Sequence, residues 1–417
     1  MTKDFKVPWG VWREPKYLDL TFPDSWDISI FKMKGADAPE LTDEEIRNSI
    51  LNPIATPKLS ELAKNKEKIA IVVDDMTRTT PIYKILPHIL AELDKVGITN
   101  EQIIILLAIG AHKPMNRHDC ILKLGNYVVE NLNIENHHPY ENLINLGESK
   151  IGTPIEVNRT YYNSDLRIAI GGVIPHILAG FGGGAKIVLP GVCGIRTLEA
   201  NHSAGFKFGS FGGGIGKVSK IREDIEAIVE TIGLDFSINV ILNEIGEICG
   251  IFSGHFKEAH RKAIELAKEF YKTEVPTGNH ICFFNLYPED SELNQAIKGF
   301  NFLMTAPREI LDKNGAIVLM SSSYEGRGYH SLLAETGSRL YHNFGDNLEK
   351  GLIWKAYIKE RKVFFYSPNI SKSDLYHFFP KSIKLYDNWE KLLGELENTY
   401  GNSPKAAIFP CSIQLAQ

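Results

Sequence analysis

Six apolar runs of strand length recur along this chain: residues 68–75 (KIAIVVDD), 102–112 (QIIILLAIGAH), 166–176 (LRIAIGGVIPH), 280–288 (HICFFNLYP), 316–323 (AIVLMSSS) and 362–367 (KVFFYS). A strand with one wet face alternates apolar and polar residues. These runs scarcely alternate, so they read as strands covered on both faces. Helical patterns stand between them, such as residues 80–97 (TPIYKILPHILAELDKVG), with apolar residues three and four apart and Gly97 as a stop. Strand–helix–strand repetition of this kind predicts an α/β protein with mainly parallel sheets.

At 417 residues the chain is too long for one ordinary core. A break is predicted at residues 271–280 (YKTEVPTGNH), which follow a helical stretch at 256–272 and precede a new buried strand. Two domains are therefore expected: residues 1–273, and a smaller one over 274–417. Residues 209–217 (GSFGGGIGK) read as a loop.

A net charge of −5 offers no basic face for a nucleic acid. No apolar run reaches the roughly 18–20 residues of a membrane span, and the N-terminus lacks the apolar core of a signal peptide. Five cysteines, scattered and without a CxxC pair, suit reduced thiols in a cytoplasm.

In open α/β sheets ligands bind beyond the carboxyl ends of the strands. The residues directly after each run are therefore the candidates. They are Asp75, Thr77 and Arg78 after the first run, His112 at the end of the second, and His176 at the end of the third. Gln295 and Lys298 follow the fourth, and Glu325 and Arg327 the fifth. Each alone has a plain structural reading, as a cap, a surface pair or a satisfied imidazole.

The third run leads into a glycine cluster, Gly182, Gly183 and Gly184, ahead of Lys186. Ala185 precedes the lysine and Ile187 follows it, so this is no GxxxxGK[ST] phosphate loop. Successive glycine N–H groups can still cradle an anion. Further on, His202 stands in a helical stretch with no second ligand three or four residues away. A metal at His202 would need donors from elsewhere.

The segments DDMTRTTP, GAHKP, PHILAGFGGGAKIVLPG, EANH, INVILN, GHFKEAH, NLYPEDSELNQAIKG and EGRG, in this order, resemble those of the nickel-dependent lactate racemase family over nearly the whole chain. The most specific is PHxxAGFxGGxK, followed by an Asn-His pair ending sixteen residues after Lys186. The resemblance implies a nickel pincer nucleotide, a pyridinium-3-thioamide-5-thiocarboxylic acid mononucleotide bearing nickel. It would join Lys186 covalently, with His202 as the one protein ligand to the metal. Asp75, Thr77, Gly182, Gly183 and Gly184 would line the nucleotide. It further implies racemisation or epimerisation of a small 2-hydroxy acid by reversible hydride transfer, with His112 and His176 as two opposed bases. Arg78 and Lys298 would hold carboxylate and oxyanion, Asp75 would orient an imidazole, and Gln295 would add a polar contact. The active site is expected in a cleft between the domains, and maturation proteins are expected as partners.

One departure concerns the substrate. Asn294 stands before Gln295, where the family's lactate enzymes resemble one another in having an aromatic residue. Trp354 lies in a context that does not align. A polar Asn suits a longer or more polar substrate than lactate. Two other readings stay open on sequence alone: the same cofactor acting on another compound with an α-hydrogen, and a nucleotide-binding carrier without turnover. A carrier would need Lys186 and His202, but not His112, His176, Arg78 and Lys298.

Overall fold

A computed structural model describes residues 2–207, 219–332 and 359–416. The predicted loop at 209–217 and Trp354 lie outside the described residues. Two compact units emerge: one runs from Asp37 to Glu269, and the other joins the chain up to Ala36 with the chain from Phe270 onward.

The Asp37–Glu269 unit is built on a six-stranded sheet. Its strands lie in the order Ile248–Gly254, Phe236–Leu242, Leu166–Gly172, Ile69–Asp74, Ile103–Ala108, Asn133–Asn136. All neighbours are parallel except the edge strand Ile248–Gly254. Ile71 sits between Ile105 and Ile168 in register, and all three are fully buried. That two-sided cover is why these strands read as continuous apolar runs. The chain first builds outward from Ile69–Asp74 on one side, then returns to place Leu166–Gly172 on the other. The order thus reverses between these two strands, and their carboxyl ends open the crevice where such folds bind ligands.

The helical pattern of residues 80–97 is shorter than predicted. A 3-10 turn at Ile82–Lys84 precedes a helix at Leu86–Asp94. Pro87 at the helix start explains the delay, since it lacks the N–H that a continuous helix would need there. The third run is also divided. Its strand stops at Gly172, and Pro175–His176 pairs with Gly180–Phe181 in a small hairpin.

The second unit carries another six-stranded sheet, parallel throughout, in the order Lys384–Tyr386, Lys362–Tyr366, Leu311–Met320, Asn279–Asn285, Lys405–Phe409, Asp27–Ile30. The expected domain of residues 1–273 therefore needs correction at its start. Strand Asp27–Ile30 pairs with Lys405–Phe409, far along the chain, and Trp26 is wholly buried beside Phe22 in that unit's core. Trp26 Nε1 donates to Glu397 at 3.3 Å. Nothing in residues 1–36 could show this, because a short strand carries no mark of its partner. Among the described residues no helix is long and apolar enough to cross a membrane.

Trp26→Ala should therefore destabilise the unit holding Lys405–Phe409 by about 3–5 kcal/mol, the usual cost of emptying a large aromatic site. Hydrogen exchange resolved by segment would show faster exchange at residues 279–285 and 405–409. Exchange unchanged there would show that the N-terminal strand is not part of that core.

Candidate active site

The first strand end carries two adjacent carboxylates pointing to opposite partners. Asp74 accepts from Thr80 Oγ1 at 2.6 Å and from the Gly172 N–H at 3.1 Å, tying the two strands at the switch point together. Asp75 Oδ2 lies 2.6 Å from His112 Nδ1, and its Oδ1 accepts from the Thr77 N–H at 2.9 Å and from the Thr77 hydroxyl. Burial alone would raise the Asp75 carboxyl. His112 across the hydrogen bond, Arg78 and Thr77 outweigh it, and hold Asp75 well below the usual carboxylate range. An ionised Asp75 can only accept, so His112 Nδ1 is the donor, and the neutral ring keeps its lone pair on Nε2. Arg78 Nη1 donates to the Thr77 carbonyl at 3.0 Å and to its hydroxyl at 2.9 Å. Asp75, Thr77, Arg78 and His112 are thus brought into one network, in which the Thr77 hydroxyl serves as a junction.

A residue missed in the sequence underlies this network. Lys123, on helix Arg117–Leu124, is fully buried. Its Nζ donates to the Asp75 carbonyl at 3.0 Å and the Arg78 carbonyl at 2.8 Å, and lies 2.7 Å from Asp74 Oδ1. Burial lowers its pKa, against the pull of Asp74. The one sequence signal was a lysine on the same helix face as Cys120 and Leu124, both buried.

The glycine loop has its carbonyls bound from behind. Arg222, fully buried, donates through Nε to Ala179 O at 3.3 Å, through Nη1 to Gly183 O at 3.3 Å, and through Nη2 to Phe181 O. His260 Nε2 meets Gly182 O at 2.7 Å, and Asn239 Oδ1 accepts from the Gly184 N–H at 2.8 Å. The glycines are needed for this packing. At Gly183, with φ of +74°, a Cβ would come within 2.7 Å of Val173. At Gly184, with φ of +55°, it would come within 2.9 Å of His260. Gly182 would meet the Gly172 carbonyl at 2.8 Å. Arg222, His260 and Asn239 were not singled out in the sequence. Their partners are backbone carbonyls and amides, which leave no residue signature.

Lys186 follows on the short 3-10 turn Gly184–Ile187 and is half-buried. His202 stands on helix Ile195–Lys207, its Nδ1 bonded to the Leu198 carbonyl at 2.7 Å. Burial is the main influence that pushes His202 down to about 4, opposed by the Leu198 bond and helped by the positive charge of Lys186. Lys186 is thus close enough for its charge to act on His202. With Nδ1–H given to a carbonyl, Nε2 carries the lone pair, which is the form in which imidazole binds a metal. Among the described residues no three His, Cys, Asp or Glu side chains gather into a metal site.

His176 differs from His112. Its Nδ1 accepts from the N–H of Leu178 at 3.2 Å and of Ala179 at 3.1 Å, within its own hairpin turn. Gln295 and Lys298 belong to the other unit. Gln295 is buried and donates to Asn294 Oδ1 at 3.0 Å, and Lys298 pairs with Glu289.

Comparison with known proteins bears on this arrangement. The chain is 33% identical over 310 residues to the lactate racemase of Lactiplantibacillus plantarum, covering 73% of this chain and 69% of that one. The chain belongs to the lactate racemase family. The family's lactate racemase N-terminal domain matches residues 14–210, which include His112, His176, Lys186 and His202. A second relative, the lactate racemase of Thermoanaerobacterium thermosaccharolyticum, is 29% identical over 331 residues, covering 78% of this chain and 76% of its own. The structure of the lactate racemase apoprotein from that organism superposes with a TM-score of 0.75 at 25% identity, over the whole of both chains. A Thermotoga maritima protein shares the fold, with a TM-score of 0.67 at 20% identity over 91% of this chain and 99% of that one.

Two outcomes follow from the network around Asp75. Lys123→Met would leave the buried Asp74 carboxylate without its cation, at a cost of about 3–5 kcal/mol, seen as a lowered denaturation midpoint at pH 7. The Asp75 carboxyl binds its proton less readily folded than unfolded. Its contribution to stability is therefore full above the unfolded value of about 4 and fades as pH falls below it. Asp75→Asn should lower the melting temperature at pH 7 and flatten its fall below about pH 4. An unchanged acid limb would show that Asp75 is not held as a carboxylate.

Proposed function

We propose that this chain is a racemase or epimerase of a 2-hydroxy acid, lactate or a larger or more polar analogue. The observation that carries the reading is the Asp75–His112 pair, 2.6 Å apart at the strand switch point, in the unit where Lys186 acts on His202. A carrier of a nucleotide has no use for an imidazole held by a buried carboxylate with its second nitrogen set to accept a proton. That arrangement is the usual device for general base work near neutral pH.

The residues fit the cofactor that the family resemblance implies. Lys186 offers the amine for a covalent join. His202 offers a neutral Nε2 fixed in direction by Leu198. A metal held there would take its other donors from the bound group. In this reading the chain carries a nickel pincer nucleotide on Lys186, loaded by maturation proteins in the cytoplasm. When bound, that group supplies an acceptor for the substrate's α-hydride.

The chain's own residues supply the rest. His112 Nε2 takes the hydroxyl proton of the substrate: the O–H bond breaks, an N–H bond forms, and the imidazolium is stabilised by Asp75. Arg78 is a guanidinium held in direction by Thr77, of the kind that pairs with a carboxylate. Lys298 and Gln295 offer a cation and an amide suited to a substrate's oxygens. Asn294 is buried, and its Nδ2 has no hydrogen-bond partner among the described residues. An unmet amide there supports a substrate with a polar tail.

The test is protein made together with the maturation machinery. Intact mass should rise by that of the nucleotide, and Lys186→Ala should abolish the rise. Enantiopure lactate and longer, more polar 2-hydroxy acids should racemise by chiral separation. An α-deuterated substrate should keep its label in ordinary water. His112→Ala should cut turnover by about 10²–10⁴-fold. Rapid loss of deuterium would overturn the hydride reading, and a loaded protein inert on the whole panel would overturn the reading as a racemase.

A further inference from the structure

In the second unit the chain's own beginning lies across the carboxyl ends of three neighbouring parallel strands. Asn285 closes strand Asn279–Asn285. Its Nδ2 donates to the Pro8 carbonyl at 2.6 Å and to the carbonyl of Pro410, just after strand Lys405–Phe409, at 2.9 Å. Asp290 takes the next groups of the same N-terminal turn. Its Oδ2 accepts from the Gly10 N–H at 2.8 Å and its Oδ1 from the Val11 N–H at 3.0 Å. Tyr324, beyond strand Leu311–Met320, donates its hydroxyl to the Val11 carbonyl at 2.7 Å. Trp9 and Val11 are buried on either side of Gly10. Gly10 has a φ of +64°, a left-handed bend that lets two successive N–H groups face one carboxylate.

Asp290 is fully buried. Burial pushes its carboxyl up to about 6, against the pull of the Val11, Gly10, Asp290 and Ser322 N–H groups, so at pH 7 it is ionised and accepts on both oxygens. The loop it anchors is the one that carries Gln295 and Lys298. Backbone bonds pass the anchorage along that loop. The Ser323 N–H donates to the Asp290 carbonyl at 2.7 Å, the Glu325 N–H to the Ser291 carbonyl at 3.0 Å, and the Leu293 N–H to the Gly326 carbonyl at 3.0 Å. These bonds deliver the chain to the 3-10 helix Leu293–Phe300, on which Gln295 and Lys298 stand. Glu289, the residue before Asp290, pairs with Lys298. Two adjacent carboxylates thus divide the work: one grips the N-terminal turn and the other grips Lys298.

We propose that the N-terminal turn Pro8–Val11 braces the loop bearing Gln295 and Lys298, and that Asp290 is the positioning residue through which it governs substrate binding. The catalytic half rests on the reading above, in which Lys298 and Gln295 meet the substrate's oxygens; the mechanical half does not. An unbraced loop would spread Lys298 over many places, and the substrate would have to order it on binding, with a loss of affinity. Charge-assisted bonds from two N–H groups to a buried carboxylate remove that freedom beforehand. Asp290 acts through Glu289 and the loop, not on the substrate.

Two variants test this. Asp290→Asn keeps the side chain's shape but sets an amide N–H against one of the two backbone donors. Tyr324→Phe removes only the hydroxyl that holds the Val11 carbonyl and leaves Asp290 in place, so it decides the matter even where the asparagine variant does not fold. Hydrogen exchange resolved by segment, on cofactor-free protein, should quicken at residues 7–12 and at residues 286–300 in either variant, and stay unchanged at residues 69–74. Faster exchange at 7–12 with none at 286–300 would show that the turn does not brace the loop, and overturns the proposal whatever the enzyme does. The second measurement is racemisation by protein shown by intact mass to be loaded. Loading should match wild type, because Lys186 and His202 belong to the other unit. Asp290→Asn should raise KM for the 2-hydroxy acid by about tenfold, the size of one lost charge-assisted hydrogen bond, and Tyr324→Phe by about threefold. Their kcat should stay within about threefold of wild type, as for a loss of binding alone. A purely structural duty would lower kcat through a smaller active fraction and leave KM unchanged, and that result sinks the proposal. Loaded wild-type protein that racemises no 2-hydroxy acid would instead refute the functional reading, leaving hydrogen exchange to decide the mechanical half.

Discussion

The buried ammonium of Lys123 is the interaction on which the site depends. A charge fully removed from water is costly unless its partners are close and its donors are used. Lys123 meets that condition with three oxygens, the Asp75 and Arg78 carbonyls and the Asp74 carboxylate. The side chain thereby clamps both ends of the turn that follows strand Ile69–Asp74. Within that turn Asp75 is held where it can grip His112, and Thr77 where it can steer Arg78. Asp74, on the same strand end, reaches across to Gly172 and Thr80 and so ties the two strands of the switch point. One lysine on a neighbouring helix thus fixes the relative placement of an imidazole, a carboxylate and a guanidinium.

The glycine loop obeys the same logic with different groups. Arg222, His260 and Asn239 take up its carbonyls and one amide from the protein side. The glycines permit this close approach, because side chains at Gly183 and Gly184 would collide with Val173 and His260. Lys186, on the turn directly after these glycines, is therefore carried on backbone with little freedom to shift. Preorganisation of this kind would serve the covalent join proposed for Lys186. The hairpin around His176 is held by the same arginine, whose Nε donates to the Ala179 carbonyl while the Ala179 N–H donates to His176 Nδ1.

The apolar runs betrayed both sheets, since strands covered on two faces cannot alternate, and the strand-end rule singled out Asp75, Thr77, Arg78, His112 and His176 from chemistry alone. His202 was legible as a lone imidazole lacking partners. Lys123, Arg222, His260 and Asn239 were not, because each acts on backbone groups or on charges far away in the chain. The N-terminal strand Asp27–Ile30 escaped for a related reason: its place beside Lys405–Phe409 is a pairing, and pairing is not written in either segment.

By itself the sequence determined that buried strands would form mainly parallel sheets, and it nominated Asp75, Thr77, Arg78 and His112 as side chains beyond their carboxyl ends. Periodicity and residue type are local properties, and those conclusions need nothing more. The tertiary structure alone decided what each side chain is able to do. Two histidines, alike in sequence context, differ because one meets a carboxylate and the other meets two amides. A tautomer is set by the atom across the hydrogen bond, and only the folded chain brings that atom within reach.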